Sequence, residues 1–249
     1  MNKFFEEKGY YLAKGVFSPD EVDRLENEFD RIVQQLNEHN DSGASNNNGV
    51  IDTRNVQQYS GLWMAALLHE KFLDIVEQLI GPDIVLNHTT LFEKRMTTAP
   101  TPFRMHQDWS YLPTRMNTMI AGMIHISEAT EEMGCLRVYP GSHRHGRVEG
   151  STAVNAAFHE QFPFEGATAI EARPGDVTFF DYFIVHGSTS NRSETPRKVV
   201  IARMFSGRDQ KEDIYQFSEN LVLRGWNYHT TSDTARKTVL KPAKNTQKS

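Results

Sequence analysis

The sequence predicts a mainly β protein with flanking helices, in which helices come first and an antiparallel sandwich or barrel follows. Three observations predict it. Before Pro82 the apolar residues recur at helical spacing, whereas after Pro82 short β-rich runs are separated by Pro, Gly and Asn turns. No helical stretch lies between these runs, which argues against a βαβ sheet. Finally, the chain has no GxGxxG, P-loop or GxSxG motif and no repeat period.

Two helices are predicted in the first part. The first begins with Ser18 as N-cap and Pro19 in the first turn, and Glu21 completes a capping box. Its apolar face is formed by Val22, Leu25, Phe29, Ile32, Val33 and Leu36. The second helix runs through ALLHEKFLDIVEQLIGP and ends at Gly81 and Pro82.

Six runs are predicted as strands of one β-sandwich. They are DIVLNHTTLFEK, TMIAGMIHI, CLRVYP, ATAIEA, DVTFFDYFIVH and RKVVIARMF. At 249 residues the chain is expected to form one domain, with a helical part at about 1–82, a β core at about 83–206 and a polar tail at 207–249. The polar segment 40–49 is expected to be a loop, serving as a lid or a simple connector.

Composition narrows the class of protein. The formal net charge is −5 and the basic residues are scattered, so no nucleic-acid partner is expected. The one cysteine, Cys135, excludes an internal disulfide framework. No apolar run approaches the roughly 18–20 residues needed to span a membrane. The opening MNKFFEEKGYYLAKG lacks the apolar core of a signal peptide, and the chain does not end in Ser-Lys-Leu. We therefore expect a soluble, cytoplasmic protein.

The stretch FRMHQDWSYLP, residues 103–113, contains the first candidate site residues. In an extended segment alternate side chains share a face, so His106 and Asp108 point the same way and Gln107 points oppositely. Such a pair is either part of a metal site or an ordinary buried hydrogen-bonded pair. The pair alone does not distinguish these two readings.

A third ligand and a cation are found further along the chain. His186 ends an apolar strand and is followed by glycine, and Arg197 follows eleven residues later at the start of a β-branched run. Two histidines and one carboxylate on a β-sandwich form the facial triad of non-haem Fe(II) oxygenases. An arginine guanidinium suits a planar, two-point grip on a carboxylate. Each of these residues is weak evidence by itself, but the four in this order along the chain are specific evidence for such a site.

With these residues in place, the chain resembles the phytanoyl-CoA dioxygenase (PhyH) family of Fe(II)/2-oxoglutarate-dependent oxygenases. The stretches that carry the resemblance are FFEEKGYYLAKGVFSPDEVDRL, HQDWSYLPTR, GCLRVYPGSHR, RPGDVTFFDYFIVHGSTSN and PRKVVIARMF. Their order and spacing agree from the N-terminus to about Arg208. The resemblance implies a double-stranded β-helix, that is, a cupin-like jelly roll.

The resemblance also implies roles for individual residues. His106, Asp108 and His186 match the family's iron ligands, which are also its catalytic residues. Arg197 matches the arginine that binds the distal carboxylate of 2-oxoglutarate. Ser188 matches a position that hydrogen-bonds the same carboxylate.

Further positions near the cosubstrate follow from the same resemblance. Thr90 is assigned to the 2-oxoglutarate site. A family lysine falls at Asn55, and a tryptophan that lines the pocket falls at Ile124. These two departures argue against an acyl-CoA substrate but not against the iron chemistry.

Three residues are predicted to contact the substrate. Strand alternation aims Arg104 to the same face as His106 and Asp108. Tyr111 lies on the loop that leaves the motif, and Gln58 lies in RNVQQYSGLW, where the family's N-terminal region covers the pocket. These side chains predict a small polar substrate, such as a carboxylate or phosphonate.

The remaining histidines are expected to be structural. His143 and His145 lie two residues apart in YPGSHRHGR, but in the resembled family this run is a turn. Their spacing is therefore not expected to mark a metal site. His125, His159 and His229 are expected on the surface or in the core.

The function implied is that of a dioxygenase that hydroxylates an unactivated C–H bond and releases succinate and CO2. Its expected cofactors are Fe(II), 2-oxoglutarate and O2, with ascorbate as reductant, and its expected partner is a small-molecule substrate. Two alternatives remain. One is a metal-dependent cupin-like isomerase or hydrolase, which needs neither Arg197 nor 2-oxoglutarate, and the other is a non-catalytic jelly-roll binding protein. The sequence leaves the oligomeric state open.

Overall fold

The computed structural model describes residues 1–39, 49–96, 102–212 and 220–229. Their α-helices are α1 (Asn2–Lys8), α2 (Pro19–His39), α3 (Gly61–Leu67), α4 (Glu70–Ile80) and α5 (Ala156–Gln161). The strands are β1 (Tyr10–Ala13), β2 (Val50–Arg54), β3 (Ile84–Lys94), β4 (Phe103–His106), β5 (Ile120–His125), β6 (Leu136–Val138), β7 (Thr168–Ile170), β8 (Val177–Asp181), β9 (His186–Ser188), β10 (Arg197–Ser206) and β11 (Leu221–Arg224).

The strands form two antiparallel sheets. The large sheet has the order β1-β8-β5-β10-β3-β11, with β2 also paired to β3, and the small sheet has the order β4-β9-β6-β7. One apolar cluster joins the two sheets, since it includes Met123 and Val199 from the large sheet and Leu136 and Val138 from the small one. The fold is the predicted jelly roll, and each of the six predicted runs contains a strand.

The helices cover the outer face of the large sheet. The main core places Phe29 of α2 and Phe72 of α4 against strand residues such as Phe179. At Gly122 on β5, an added Cβ would lie 3.1 Å from ring carbons of both Phe72 and Phe179. A side chain at this position would therefore push α4 away from the sheet. This layer leaves the opposite face of the sheet to line the interior of the jelly roll.

The start of α2 agrees with its predicted capping box. The backbone amide of Ser18 donates to Glu21 Oε2 at 2.8 Å, and the amide of Glu21 donates to Ser18 Oγ at 3.4 Å. The Ser18 hydroxyl also donates to Glu21 Oε2. These bonds satisfy donors that the first helical turn would otherwise leave unpaired.

Three details differ from the sequence prediction. The second predicted helix is divided into two helices, α3 and α4. The break occurs because α3 ends at Leu67 and His69, whose backbone is extended (ψ 127°), is the N-cap of α4. The region 1–82 is not wholly helical, since β1 and β2 join the large sheet, and β11 in the tail joins it as well. The predicted loop 40–49 lies, except for Gly49, outside the described residues.

Candidate active site

The structure brings His106, Asp108 and His186 together. His106 ends β4, His186 begins β9, and the two residues are register partners in the small sheet. Asp108 begins a single 3₁₀ turn directly after β4, and its Oδ1 lies 3.5 Å from His106 Nε2 and 3.7 Å from His186 Nε2. One ligand atom from each residue lies within 4.8 Å of the other two. Among the described residues, this is the one cluster of histidine, cysteine and acidic groups that could hold a metal.

Backbone hydrogen bonds orient both imidazoles. His106 Nδ1 lies 2.8 Å from the carbonyl oxygen of Arg104, and His186 Nδ1 lies 3.0 Å from that of Ile184. A carbonyl can only accept, so each Nδ1 carries the proton and each Nε2 presents its lone pair toward Asp108. Burial lowers the pKa of His186 to about 4, so this imidazole is neutral at physiological pH. Two imidazole Nε2 atoms beside an ionised carboxylate fit a divalent metal.

Arg203 on β10 holds the carboxylate of this triad. Its Nε donates to Asp108 Oδ2 at 2.9 Å, which leaves Oδ1 directed toward the two histidines. Burial acts to raise the pKa of Asp108, but the guanidinium of Arg203 together with His106 and His186 outweighs it and holds that pKa well below the ordinary value. Asp108 is therefore an anion whose free oxygen is aimed at the metal position.

This contact gives a prediction for metal affinity. Arg203→Gln should weaken Co(II) or Ni(II) binding about 10–100-fold, because substituting a residue that orients a metal ligand typically lowers metal affinity by that factor. Competition with a chromophoric chelator measures the effect. The matched control is Arg224→Gln, which removes a surface arginine bonded to Asp74 and Glu77 and should leave metal affinity unchanged. Equal metal affinity in both variants would remove Arg203 from this role.

The triad lines a cavity, and a second polar group lies at the far end of that cavity. Arg197 is only 4% exposed, and its Nη1 donates to the carbonyl oxygen of Gly134, while its buried Nε has no hydrogen-bond partner among the described residues. Ser188 also lines this end and accepts a 2.7 Å hydrogen bond from Lys94 Nζ. A buried guanidinium with an unpaired N–H is the expected partner of a carboxylate.

Lys94 is the register partner of Arg197 and is 1% exposed. Burial, with a contribution from the charge of Arg197, lowers the pKa of Lys94 from 10.5 to about 6. The amino nitrogen also lies 4.7 Å above the ring of Phe103. The end of the cavity around Arg197 is therefore backed by a buried amino group that is mostly uncharged above pH 6.

The shifted pKa of Lys94 predicts how stability depends on pH. Between pH 6 and 10.5 unfolding takes up a proton at this residue, so its contribution raises the free energy of unfolding with pH by about 1.4 kcal/mol per unit in mid-window. Lys94→Met should remove that slope, as measured by urea unfolding between pH 6.5 and 9. Lys14→Met, at an exposed lysine, is the control. Parallel pH profiles for the wild type and Lys94→Met would contradict the assignment.

The cavity between the two ends has a volume of about 550 Å³. Alternate residues of β10 line it, with Arg197 at one end, Val199 and Ile201 between, and Arg203 at the other end. Apolar side chains of Phe103, Met123, Leu136 and Phe180 complete the middle section. The cavity therefore has polar anchors at its two ends and an apolar wall between them.

Among the predicted substrate residues, Tyr111 lines this cavity but Arg104 and Gln58 do not. Arg104 is exposed, and its Nη1 lies 3.2 Å from His159 Nδ1. The reason is a register shift in β4 between Phe103 and His106, which interrupts simple alternation. The placement predicted for Arg104 is therefore wrong, and Gln58, on the 3₁₀ turn Val56–Gln58, does not line the cavity either.

Two of the predicted cosubstrate positions are corrected in the same way. Thr90 lines the cavity, whereas Asn55 and Ile124 do not. Ile124 is fully buried in the core on the helix-covered face of the sheet. Its neighbour Met123 lines the cavity, as does Arg54, the neighbour of Asn55. A shift of one residue along a strand moves a side chain to the opposite face.

Sequence reasoning missed four basic residues at the site, namely Arg54, Lys94, Arg203 and Lys211. Arg203 and Lys94 did leave a signal, because each is a charged residue in a β-rich run, RKVVIARMF and DIVLNHTTLFEK. A charge in a buried strand indicates a partner or a functional site. Arg54 and Lys211 left none, since their positions at the cavity depend on strand pairing and loop path.

The other histidines are placed as structural residues. His125 is fully buried with Nε2 2.9 Å from Thr178 Oγ1, and His143 Nε2 lies 3.0 Å from the carbonyl oxygen of Glu6. Neither belongs to a cluster of potential metal ligands. In the part of the chain that the structure describes, no helix is long and apolar enough to cross a membrane.

A jelly roll whose interior presents two histidines and one carboxylate defines the class of mononuclear non-haem metal proteins with a facial triad. Comparison with known proteins identifies the family within this class. The family model described as phytanoyl-CoA dioxygenase (PhyH) matches residues 5–199. The chain belongs to this family of Fe(II)/2-oxoglutarate oxygenases.

Individual relatives agree with this assignment. The peroxisomal phytanoyl-CoA dioxygenase of Bos taurus is 29% identical over 225 residues, covering 80% of this chain and 66% of the relative. A probable alpha-ketoglutarate-dependent hypophosphite dioxygenase of Stutzerimonas stutzeri is 25% identical, covering 78% of this chain and 74% of the relative. The chain thus spans slightly less than two thirds of the length of the bovine protein.

A solved structure supports the fold. The epimerase SnoN, in complex with Fe3+, alpha ketoglutarate and nogalamycin RO, superimposes with a TM-score of 0.73. Its sequence identity is 19%, and the match covers 90% of this chain and 97% of SnoN.

Proposed function

We propose that this protein is an Fe(II)/2-oxoglutarate-dependent oxygenase that hydroxylates a C–H bond of a small polar molecule. One observation carries the proposal. Two histidine Nε2 atoms and Asp108 Oδ1 converge within 4.8 Å in a cavity whose far end contains the buried, partly unpaired Arg197. A metal-dependent isomerase or hydrolase would need the first feature but not the second.

The residues present fit both groups. His106, Asp108 and His186 would hold the iron. Arg197 and Ser188 would bind the distal carboxylate of 2-oxoglutarate. The apolar side chains between the two ends would contact its methylene groups and exclude water.

Iron, 2-oxoglutarate and O2 together supply an oxidant able to break an unactivated C–H bond, with succinate and CO2 as by-products. The protein's own residues bind, orient and shield. Arg203 helps to keep Asp108 ionised and directs it, and the carbonyls of Arg104 and Ile184 fix the orientation of the two imidazole rings. We propose ascorbate as the reductant that maintains Fe(II).

The experiment is an assay of succinate formation with Fe(II), 2-oxoglutarate, ascorbate and air, using a panel of small molecules. Some succinate is expected without substrate, and stimulation is expected with the correct compound. Absence of any iron-dependent succinate formation would overturn the proposal. It would favour the isomerase, hydrolase or binding alternatives.

Hydroxylation is the proposed outcome, and an epimerase among the solved relatives makes the outcome itself worth testing. With 18O2, hydroxylation places one heavy oxygen atom in the product formed from the substrate. Epimerisation places none there. Mass spectrometry of that product, rather than of succinate, therefore distinguishes the two reactions.

A further inference from the structure

Lys94, the last residue of β3, carries a buried amine that the proposed function does not use. Its Nζ donates one hydrogen bond to Ser188 Oγ at 2.7 Å and another to the carbonyl oxygen of Thr189 at 2.8 Å. A neutral amine has two N–H groups, so these two bonds are complete without the additional proton of an ammonium. The hydrogen bonds of Lys94 are therefore compatible with either charge state.

The surroundings of Lys94 contain no counter-charge. In the part of the chain that the structure describes, no carboxylate pairs with its amine, and its register partner is the cation Arg197. A buried ammonium without a counter-ion is costly, and the group loses its proton instead. In agreement, burial lowers the pKa of Lys94 to about 6, and the charge of Arg197 acts in the same direction. Without a bound anion the amine is therefore mostly neutral at pH 7.

Ser188 connects this amine to the cavity. Ser188 lines the cavity together with Arg197, and its Oγ accepts the hydrogen bond from Lys94, which leaves the hydroxyl proton to donate to a ligand. A carboxylate bound to Arg197 and Ser188 would then lie two hydrogen bonds from Nζ, about 5–6 Å away. An opposite charge within about 4–6 Å favours the charged form of an amine. The carboxylate would also offset the charge of Arg197.

We propose that Lys94 is a positioning residue for 2-oxoglutarate, which holds the Ser188 hydroxyl toward the distal carboxylate and takes up a proton when that carboxylate binds. This inference rests on the proposed function and adds a dependence on pH to the same site. The step is the formation of one N–H bond at the Nζ lone pair with a proton from solvent, and nothing is oxidised or reduced. The affinity for 2-oxoglutarate is thereby linked to pH.

The other groups that face Lys94 do not change charge between pH 6.5 and 8. Burial lowers the pKa of Arg197 only to about 10, and burial raises the pKa of the Cys135 thiol. The remaining side chains beside the amine, from β9, β4 and β2, do not titrate in this range: Ser188, Phe103 and Val50. Above pH 6 the free protein holds Lys94 mostly neutral and the complex holds it charged, so the affinity for 2-oxoglutarate should fall as pH rises.

The test measures proton uptake rather than turnover. 2-Oxoglutarate is titrated calorimetrically into the Zn(II)-loaded protein at pH 7 in buffers of low and high ionisation enthalpy, such as PIPES and Tris. The dependence of the observed enthalpy on the buffer gives the number of protons bound. Roughly half a proton or more per 2-oxoglutarate is expected, and the association constant should fall about 3–10-fold per pH unit between pH 6.5 and 8.

Two variants assign the proton to Lys94. Lys94→Met cannot be protonated and Lys94→Arg stays charged, so both should bind 2-oxoglutarate with little proton uptake and with an affinity nearly independent of pH. The matched control is Lys14→Met, at an exposed lysine, which should behave as the wild type. Any proton released by metal-bound water is common to all of these proteins and cancels in the comparison. A purely structural Lys94 would instead give Lys94→Met the same loss of affinity at every pH.

Two results would overturn this inference alone. These are 2-oxoglutarate binding without proton uptake in the wild type, or equal uptake in the wild type and in Lys94→Met. Either result leaves the proposed function intact. Absence of saturable 2-oxoglutarate binding in the wild type would refute the proposed function and the role of Lys94 with it. Melting temperatures establish that each variant is folded, and the wild-type measurement decides the question even if a variant fails to fold.

Discussion

Replacing His186 with alanine is expected to abolish iron-dependent succinate formation and to weaken divalent-metal binding at least about 100-fold. The substitution removes one of three protein ligands, and only His106 and Asp108 would remain. Measurement requires metal titration and the succinate assay on the same preparation. Circular dichroism should show a folded protein, because the bonds that pair β9 with β4 and β6 are made by the backbone.

The matched control is His143→Ala. His143 is a histidine outside the cavity whose ring nitrogen lies near the carbonyl oxygen of Glu6, and its removal should leave metal binding and turnover intact. Full activity in His186→Ala would refute the facial triad. Loss of metal in His143→Ala would mean that YPGSHRHGR, rather than the triad, holds the ion.

Arg197→Lys is expected to raise the Michaelis constant for 2-oxoglutarate roughly 10–150-fold, with a smaller fall in the turnover number. Lysine keeps a positive charge but loses the two-point hydrogen bonding of the guanidinium, and a hydrogen bond to a charged group contributes about 1.5–3 kcal/mol. Arg197 is buried, so the effect cannot be that of a surface substitution. Initial rates at varied 2-oxoglutarate provide the measurement.

Ser188→Ala should act in the same direction as Arg197→Lys but more weakly, because Ser188 contributes one hydrogen bond and Lys94 remains behind it. The control is Arg173→Lys, an exposed arginine before β8. An unchanged Michaelis constant in both cavity variants would place the cosubstrate elsewhere. If Arg197→Lys lowered the turnover number without changing the Michaelis constant, Arg197 would act in a step after 2-oxoglutarate binding.

The sequence by itself indicated most of the β core, the first long helix and the three candidate metal ligands. Apolar periodicity and turn residues gave the order of helices and strands, because these signals are local and each is read within a few residues. His106, Asp108 and His186 could be chosen because their side-chain chemistry and order are specific to a facial triad. Arg197 was chosen in the same way.

The tertiary structure alone decided which charges share the cavity. A register shift in β4 turned Arg104 outward, and one-residue shifts moved the cavity positions from Asn55 to Arg54 and from Ile124 to Met123. Side chains alternate between the two faces of a strand, so an error of one residue places the predicted side chain on the opposite face of the sheet. Arg54 and Lys211 line the same cavity although they are more than 150 residues apart in the chain. No local pattern in the sequence predicts that these two residues lie close together.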